Sequence, residues 1–218
     1  MPPHRAYASL PGMTTPFVVL IAGGSCSGKS TLAQELARRA GVMKTLIVHE
    51  DSYYMHRPAT TEAEALATNF DMPEAKDRAL LAEHLAALRE GRAIPEVAYD
   101  FATHSRHDTG RLLEPRPLII VEGLHTLLPP LGPLGTLRIF VEAAEHIRIA
   151  RRIQRDVEER GRTVDGVIRQ FQLQVRPAHD ATVEPQAALA DMIVTGHYDR
   201  TSEFAEVRLK EIEGKIKV

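Results

Sequence analysis

Residues 17–31 read FVVLIAGGSCSGKST, an apolar run followed by a glycine-rich turn. Residues 23–30 of this stretch match the pattern G-x-x-x-x-G-K-[ST], which forms a phosphate-binding loop (P-loop) between a strand and a helix. The run 17–22 is predicted to be that strand. Apolar residues recur at helical spacing over 32–40, which predicts the helix. The stretch therefore predicts a nucleotide site on an α/β fold.

Each part of the loop has a chemical reason. Glycines let backbone N–H groups surround phosphate oxygens, and the helix N-terminus adds partial positive charge. Lys29 is expected to reach the β- and γ-phosphates, and the Ser30 hydroxyl to ligate Mg²⁺. A chance match is the alternative, but the strand before the turn and the helix after it disfavour it. The expected nucleotide-binding residues are Gly23, Gly24, Ser25, Cys26, Ser27, Gly28, Lys29, Ser30 and Thr31.

Composition limits the class of protein, its partners and its location. The 218 residues are 44% hydrophobic and 26% charged, ordinary values for a globular protein. A net charge of -2 gives no reason to expect nucleic acid or a membrane surface as a partner. The one cysteine excludes an internal disulfide and fits a reducing compartment. The apolar runs are too short to span a bilayer, and no signal segment opens the chain, so the expected location is cytoplasmic.

Alternating strands and helices predict the architecture. Residues 1–16 contain four prolines and are expected to be a mobile tail, with Met13 as an alternative start, and residues 17–218 form a single domain. Further strands of the same sheet are predicted at 45–49, 118–121, 137–141 and 192–195. Strands separated by helices indicate a parallel three-layer α/β fold.

Other segments are predicted to surround this sheet. Helices are expected at 74–90, 145–159 and 164–175, the last ending before Pro177. Residues 94–113 alternate around a polar turn and predict a β-hairpin apart from the parallel sheet. Residues 206–218 fit a helix or a hairpin equally well.

An arginine-rich stretch follows the fourth core strand. Arg148 and Arg151 are expected to lie on a solvated helix face. The turn ERGR at 159–162, within a segment of about 152–176, suggests a mobile lid that closes on phosphates.

Several motifs together resemble one family, the uridine-cytidine kinases of the phosphoribulokinase and uridine kinase superfamily. They are GGSCSGKST in the P-loop, EDSYY at 50–54, NFDMPEA at 69–75, YDFATHSR at 99–106 and RRIQRDVEERGR at 151–162. The resemblance implies a P-loop NTPase fold with a five-stranded parallel sheet, a hairpin and a helical lid.

The resemblance also implies catalytic roles. Asp51 matches the carboxylate that accepts the proton of the ribose 5′-hydroxyl, rather than a mere strand-end cap. Glu122 matches a second acidic group near Mg²⁺, the alternative being a carboxylate that faces solvent. Arg155 and Arg160 match lid arginines that, with Lys29, bind the transferred phosphate.

The substrate-binding residues are implied in the same way. Asp71 and its expected partner Arg152 match the residues that hold the ribose hydroxyls. Tyr99, Phe101 and His104 resemble the base pocket, with Phe70 and Arg162 expected to close it and Gln170 as a polar residue near the substrate. A metal site at His104, His107 and Asp108 is the disfavoured alternative, because a hairpin tip offers no further ligand.

The favoured function is transfer of the γ-phosphate of ATP or GTP to the 5′-hydroxyl of uridine or cytidine, with Mg²⁺. A related small-molecule kinase with another hydroxyl acceptor, or a nucleotide-binding regulator without catalysis, stays open, as does assembly into a homo-oligomer. The chain departs from the family pattern at Met72, where His is usual, at Lys76, where an aromatic residue is usual, and after Thr195. These departures leave substrate preference and oligomer contacts open.

Overall fold

The computed structural model describes residues 15–56, 68–101, 103–195 and 203–216. Seven strands are present there, which we label in chain order: β1 Phe17–Gly23, β2 Thr45–His49, β3 Ile94–Asp100, β4 Ser105–Leu113, β5 Leu118–Gly123, β6 Leu137–Glu142 and β7 Met192–Thr195. Five of them form one parallel sheet in the order β2-β5-β1-β6-β7. The predicted parallel α/β fold is confirmed.

Strand β1 lies at the centre of the sheet because it is apolar on both faces. Val18 to Ala22 are fully buried, as are Leu118 to Val121 of the neighbouring β5. The register places Ala22 opposite Gly123 and Phe140. Since parallel strands end at the same edge, the segments after β1, β2 and β5 meet along one side of the sheet.

Six α-helical segments are described: α1 Lys29–Ala40, α2 Arg78–Arg89, α3 Glu145–Arg160, α4 Val164–Gln170, α5 Arg176–Ala178 and α6 Glu203–Lys215. Leu32 and Leu36 of α1 pack on one face of the sheet. Leu81 and Leu85 of α2 pack on the other. The sheet is therefore covered on both sides, which gives three layers.

The predicted start of the second helix is wrong. Residues Pro73–Ala75 form one 3₁₀ turn, and Lys76 pairs with Tyr54 as an isolated antiparallel bridge. Helix α2 begins at Arg78 because the Asp77 side chain accepts a hydrogen bond of 3.1 Å from the Leu80 N–H. This capping group satisfies a backbone donor that the helix itself leaves free, and it sets the helix start.

The predicted helix end before Pro177 is also wrong. After α4 the chain continues through π-helical turns at Phe171–Val175 and His179–Val183, with α5 between them and a 3₁₀ segment at Glu184–Leu189. Pro177 lies in the three-residue α5 between the two π-helical turns, so the helical chain passes it where its hydrogen bonding already departs from the regular α pattern. Proline is therefore tolerated without ending the helix.

The two segments outside the main sheet have clear structures. Strands β3 and β4 form the predicted antiparallel hairpin, with an irregularity between Pro95 and Val97. Residues 203–215 are helical, which decides between the two alternatives for the chain's end, and Leu209 and Ile212 are buried against the α1 face. The predicted tail at 1–16 falls almost wholly outside the described residues. None of the described helices is long and apolar enough to cross a membrane.

Candidate active site

The loop after β1 is a tight turn built on glycine. Gly23 and Gly28 have φ values of 153° and 104°, and Cys26 also lies in the left-handed region at 61°. A side-chain carbon at Gly23 would collide with the Val141 carbonyl oxygen. The Lys29 ammonium donates to the Gly24 carbonyl at 3.1 Å. The loop therefore curls over the start of α1, with its lysine folded back across it.

A cleft of about 850 Å³ opens from this loop along the carboxyl edge of the sheet. It brings together residues that lie far apart in the sequence. The predicted site residues that line it are Ser25, Cys26, Gly28, Lys29, Ser30, Thr31, Asp51, Phe70, Asp71, Tyr99, Phe101, His104, Glu122, Arg152, Arg155, Arg160, Arg162 and Gln170. Gly23, Gly24 and the buried Ser27 do not line the cleft, and they form the back of the loop.

Ser30 and Glu122 meet at the P-loop part of the cleft. The Ser30 hydroxyl donates to Glu122 Oε1 at 3.0 Å, and His49 Nδ1 lies 2.7 Å from the same oxygen. This hydrogen bond to Glu122 raises the pKa of His49. Glu122 is only 7% exposed, so the alternative of a solvent-facing carboxylate does not hold. Two adjacent hard oxygen donors fit the chemistry of Mg²⁺.

Asp51 lines the cleft. It follows β2, and half of its side chain is exposed to the cleft. Lys76 Nζ lies 2.8 Å from Asp51 Oδ1. Although desolvation opposes ionisation, this ammonium lowers the pKa of Asp51 to about 2. Asp51 is consequently a charged carboxylate at any pH near neutrality.

Asp71 and Arg152, the predicted ribose pair, lie beside each other. Their closest charged atoms are 3.7 Å apart. The guanidinium of Arg152 also donates to Ser25 Oγ at 2.9 Å and to Gln170 Oε1 at 3.1 Å. Arg152 therefore links the P-loop, the Asp71 carboxylate and helix α4.

Aromatic rings form one part of the cleft lining. Phe70 and His104 stack with centroids 5.3 Å apart and planes 11° apart. The Tyr99 hydroxyl lies 3.4 Å from His104 Nδ1, and its ring contacts that of Phe101 at 5.1 Å. Tyr54, which the sequence analysis did not assign to the site, touches three of these rings and joins the wall.

Four arginines between residues 152 and 162 gather around one residue that the sequence analysis did not single out. Asp156 is fully buried, and its carboxylate lies 2.8 Å from Arg155, 3.1 Å from Arg162, and 3.6 Å from Arg152 and Arg160. Burial alone would raise the pKa of Asp156, but the neighbouring arginines lower it below its usual value. An aspartate placed among Arg152, Arg155, Arg160 and Arg162 was the available signal.

Two arginines differ from expectation because helix α3 packs beside the P-loop. Arg148 is 3% exposed, not solvated, and its Nε donates to the Ala143 carbonyl at 3.1 Å. Arg151 lines the cleft and donates to the Cys26 carbonyl at 3.4 Å.

Arg162 was expected to close the base pocket, but its guanidinium donates to Asp156 and Gln170. The guanidinium of Arg160 lies 5.0 Å from the centre of the Phe101 ring instead.

Among the described residues, no group of three or more His, Cys, Asp and Glu side chains could hold a metal ion. The expected Mg²⁺ site at Ser30 and Glu122 supplies two ligands. Magnesium usually keeps several waters and binds substrate phosphates as well, so two protein ligands suit it.

Comparisons with known proteins agree with this architecture. Residues 18–201 match the model of the Phosphoribulokinase / Uridine kinase family. The chain is 36% identical over 206 residues to the uridine kinase of Clostridium perfringens, covering 93% of this chain and 99% of that protein. It is 40% identical to the uridine kinase of Alkaliphilus metalliredigens over 84% of this chain and 88% of that protein.

Solved structures are similar in fold. Phosphoribulokinase from Rhodobacter spheroides superimposes with a TM-score of 0.61 at 18% identity, over 87% of this chain and 75% of that one. D-glycerate 3-kinase from Cryptococcus neoformans superimposes with a TM-score of 0.59 at 14% identity, over 88% of this chain and 90% of that one. The predicted family resemblance is confirmed by the sequence comparisons, and the chain belongs to the phosphoribulokinase/uridine kinase family.

Proposed function

We propose that this protein is a nucleoside kinase that transfers the γ-phosphate of ATP or GTP to the 5′-hydroxyl of uridine or cytidine, giving UMP or CMP. One observation carries the proposal. A single cleft joins a P-loop, an ionised carboxylate, a carboxylate–guanidinium pair and an aromatic pocket. These are the groups needed for a triphosphate, a hydroxyl nucleophile, a ribose and a planar base.

The proposed reaction assigns each group a task. The 5′-oxygen attacks the γ-phosphorus, the bond to the bridging oxygen of the nucleoside diphosphate breaks, and the hydroxyl proton passes to Asp51. Phosphoryl transfer has a loose transition state, so the carboxylate chiefly orients the hydroxyl and receives its proton late. Lys29, Arg155 and Arg160 balance the charge on the transferred phosphoryl group.

Magnesium would be held by Ser30 and Glu122 together with phosphate oxygens. Bound there, it would neutralise charge on the β- and γ-phosphates. The hydrogen bond between the two side chains already keeps both oxygens at the P-loop part of the cleft. His49 Nδ1 contacts the same carboxylate oxygen at 2.7 Å.

The acceptor is proposed from the other groups that line the cleft. Asp71 can accept from ribose hydroxyls, and Arg152 can donate to them, so the pair favours ribose over deoxyribose. The Phe70, Tyr99 and Phe101 rings provide apolar faces for a base. His104 can donate or accept according to its tautomer, which suits both the carbonyl of uridine and the amino group of cytidine.

A sugar or sugar acid as acceptor would leave this aromatic wall without a partner, which disfavours the second enzyme class. A regulator without catalysis is disfavoured because Asp51, Ser30 and Glu122 all face the same cleft. We further propose that the protein acts in the reducing cytoplasm, since its Cys26 thiol is free.

A coupled assay of nucleotide consumption tests the proposal. Uridine, cytidine, their 2′-deoxy forms, ribulose 5-phosphate and glycerate are offered in turn with Mg-ATP or Mg-GTP. We expect uridine and cytidine to be phosphorylated with the highest kcat/KM. A higher kcat/KM for a non-nucleoside acceptor would overturn the proposal.

A further inference from the structure

Lys76 is buried beside the Asp51 carboxylate of the cleft. Its side chain has no exposed surface, although lysine is seldom buried. The ammonium lies 2.8 Å from Asp51 Oδ1 and 3.0 Å from Glu50 Oε2, and 4.9 Å above the Tyr54 ring. An ammonium has three donors, so two meet carboxylates and the third side faces an aromatic ring.

The backbone around Lys76 is fixed on both sides. Lys76 forms an antiparallel bridge with Tyr54, the Met55 N–H donates to the Ala75 carbonyl at 2.9 Å, and the Asp77 N–H donates to the Tyr53 carbonyl at 2.7 Å. These bonds join the segment of Lys76 to the segment that follows Asp51. The distance between ammonium and carboxylate is therefore set by a short hydrogen-bonded ladder.

Glu50 secures the ammonium from the buried side. Its side chain is fully buried, and Oε2 also accepts from the His125 N–H at 3.1 Å. A side-chain carbon at Gly123 would collide with Glu50, so glycine at the end of β5 makes room for it. Arg78 Nε lies 3.8 Å from Glu50 Oε1. Two cations and two carboxylates thus balance one another, as buried charges require.

We propose that Lys76 is a positioning residue for Asp51: it holds one carboxylate oxygen in place, so that the group meets the acceptor hydroxyl ionised and in a fixed orientation. This rests on the proposed function, in which Asp51 receives the hydroxyl proton. Lys76 does not line the cleft, whereas Asp51 does, so Lys76 acts through Asp51 and does not touch the substrate.

Other charges face Asp51, and Lys76 must be distinguished from them. Lys29 approaches from the P-loop, Arg155 and Arg160 from α3, and His125 from the segment after β5, while His49, Glu50 and Tyr54 belong to its own segment. Lys76 is the cation in hydrogen-bonding contact with the carboxylate, and after desolvation it has the largest influence on the pKa of Asp51.

The test measures Asp51 directly in the full chain. The carboxyl carbon of Asp51 is followed by ¹³C NMR against pH, with the resonance assigned through Asp51→Asn, in wild type and in Lys76→Met. Methionine has nearly the same length without the charge. We expect the Asp51 midpoint to rise by about 1–3 pH units in Lys76→Met. With uridine, we expect kcat to fall by about tenfold to a hundredfold while the KM for ATP stays within about threefold.

Arg78→Met is the matched control, because it removes a cation from the same Glu50 cluster without touching Asp51. It should leave the Asp51 midpoint unchanged. If Lys76→Met does not fold, Glu50→Gln/Lys76→Met removes the unpaired buried carboxylate as well and is measured instead.

If the titration midpoint of Asp51 is the same in folded Lys76→Met as in wild type, the proposed role of Lys76 is wrong. The role is also wrong if Arg78→Met shifts that midpoint as much as Lys76→Met does. A wild-type protein that phosphorylates no nucleoside overturns the proposed function instead, while the midpoints still decide whether Lys76 controls Asp51.

Discussion

The Ser30 hydroxyl donates a hydrogen bond of 3.0 Å to the Glu122 carboxylate, although 92 positions separate the two residues in the chain. The contact arises because β1 and β5 are adjacent parallel strands, with Ile21 opposite Glu122. The turn after β1 therefore carries Ser30 back over the end of β5. The same relationship puts Asp51, at the end of β2, within the same cleft, since β2 lies on the other side of β5.

Asp51→Asn should abolish turnover and spare ATP binding. The amide cannot receive the hydroxyl proton, and the side chain lies apart from the P-loop glycines. We expect kcat with uridine to fall by about a hundredfold or more. Steady-state kinetics and calorimetric titration with Mg-ATP measure the two effects separately. A kcat within a few-fold of wild type would remove Asp51 from the mechanism.

His104→Tyr should shift preference toward cytidine. A tyrosine hydroxyl held in one orientation by its neighbours acts toward the base either as a donor or as an acceptor. A neutral imidazole can act as either one, according to its tautomer. A competition assay with both nucleosides in one tube gives the ratio of kcat/KM values, which does not depend on the amount of folded enzyme. We expect the uridine-to-cytidine ratio to fall by about tenfold.

His104→Asn is the control for this substitution. His104 has φ of 50°, a left-handed conformation that asparagine tolerates well, and an amide offers both a donor and an acceptor. The ratio should stay closer to that of wild type. Equal losses for both nucleosides in His104→Tyr would count against His104 as the reader of position 4.

Much of this site could be predicted because it depends on local sequence. The P-loop is one continuous motif, and the ends of the buried strands had to lie at one edge. The environment of Lys76 could not be predicted, because the apparent helix at 74–90 placed that side chain on a helix face. The Asp77 cap is a local contact that marks the true helix start, whereas the bridge with Tyr54 is a tertiary contact, and it holds Lys76 beside the segment that follows Asp51.

The error at Arg148 has a similar origin. A run of arginines is usually a solvated face, and helical periodicity does not reveal which side packs against the P-loop. Burial of Arg148 depends on the absence of a side chain at Gly24, since a carbon there would lie 2.8 Å from the Arg148 guanidinium. Such a contact between residues 124 positions apart is visible only in three dimensions.

Asp156→Asn should lower the stability of the protein in a pH-dependent way. The folded pKa of Asp156 lies below its ordinary value of 3.8, so its contribution is fully present above that value and is lost as pH falls through the folded pKa. At pH 7 we expect the free energy of unfolding to fall by about 2 kcal/mol, because the amide leaves the arginines without their anion.

Urea unfolding of wild type and Asp156→Asn at several pH values measures this effect. The difference between the two proteins should shrink on acidification below about pH 4. Asp165→Asn serves as the control, since Asp165 is an exposed acid on α4 and should change stability little at any pH. A difference that does not vary with pH would mean that Asp156 acts through packing and not through its charge.

Cys26 provides a direct test of the P-loop itself. It is the single cysteine of the chain, it is partly exposed, and it lines the cleft within the loop. Phosphates bound by the loop N–H groups and Lys29 should cover the thiol. We expect Mg-ATP to slow alkylation of Cys26 by iodoacetamide by about tenfold or more at saturation, as measured by mass spectrometry of the intact protein. Uridine alone should protect less, because it carries no phosphate for the loop to enclose. Unchanged labelling at saturating Mg-ATP would show that the loop does not enclose phosphate, and the nucleotide site would have to lie elsewhere.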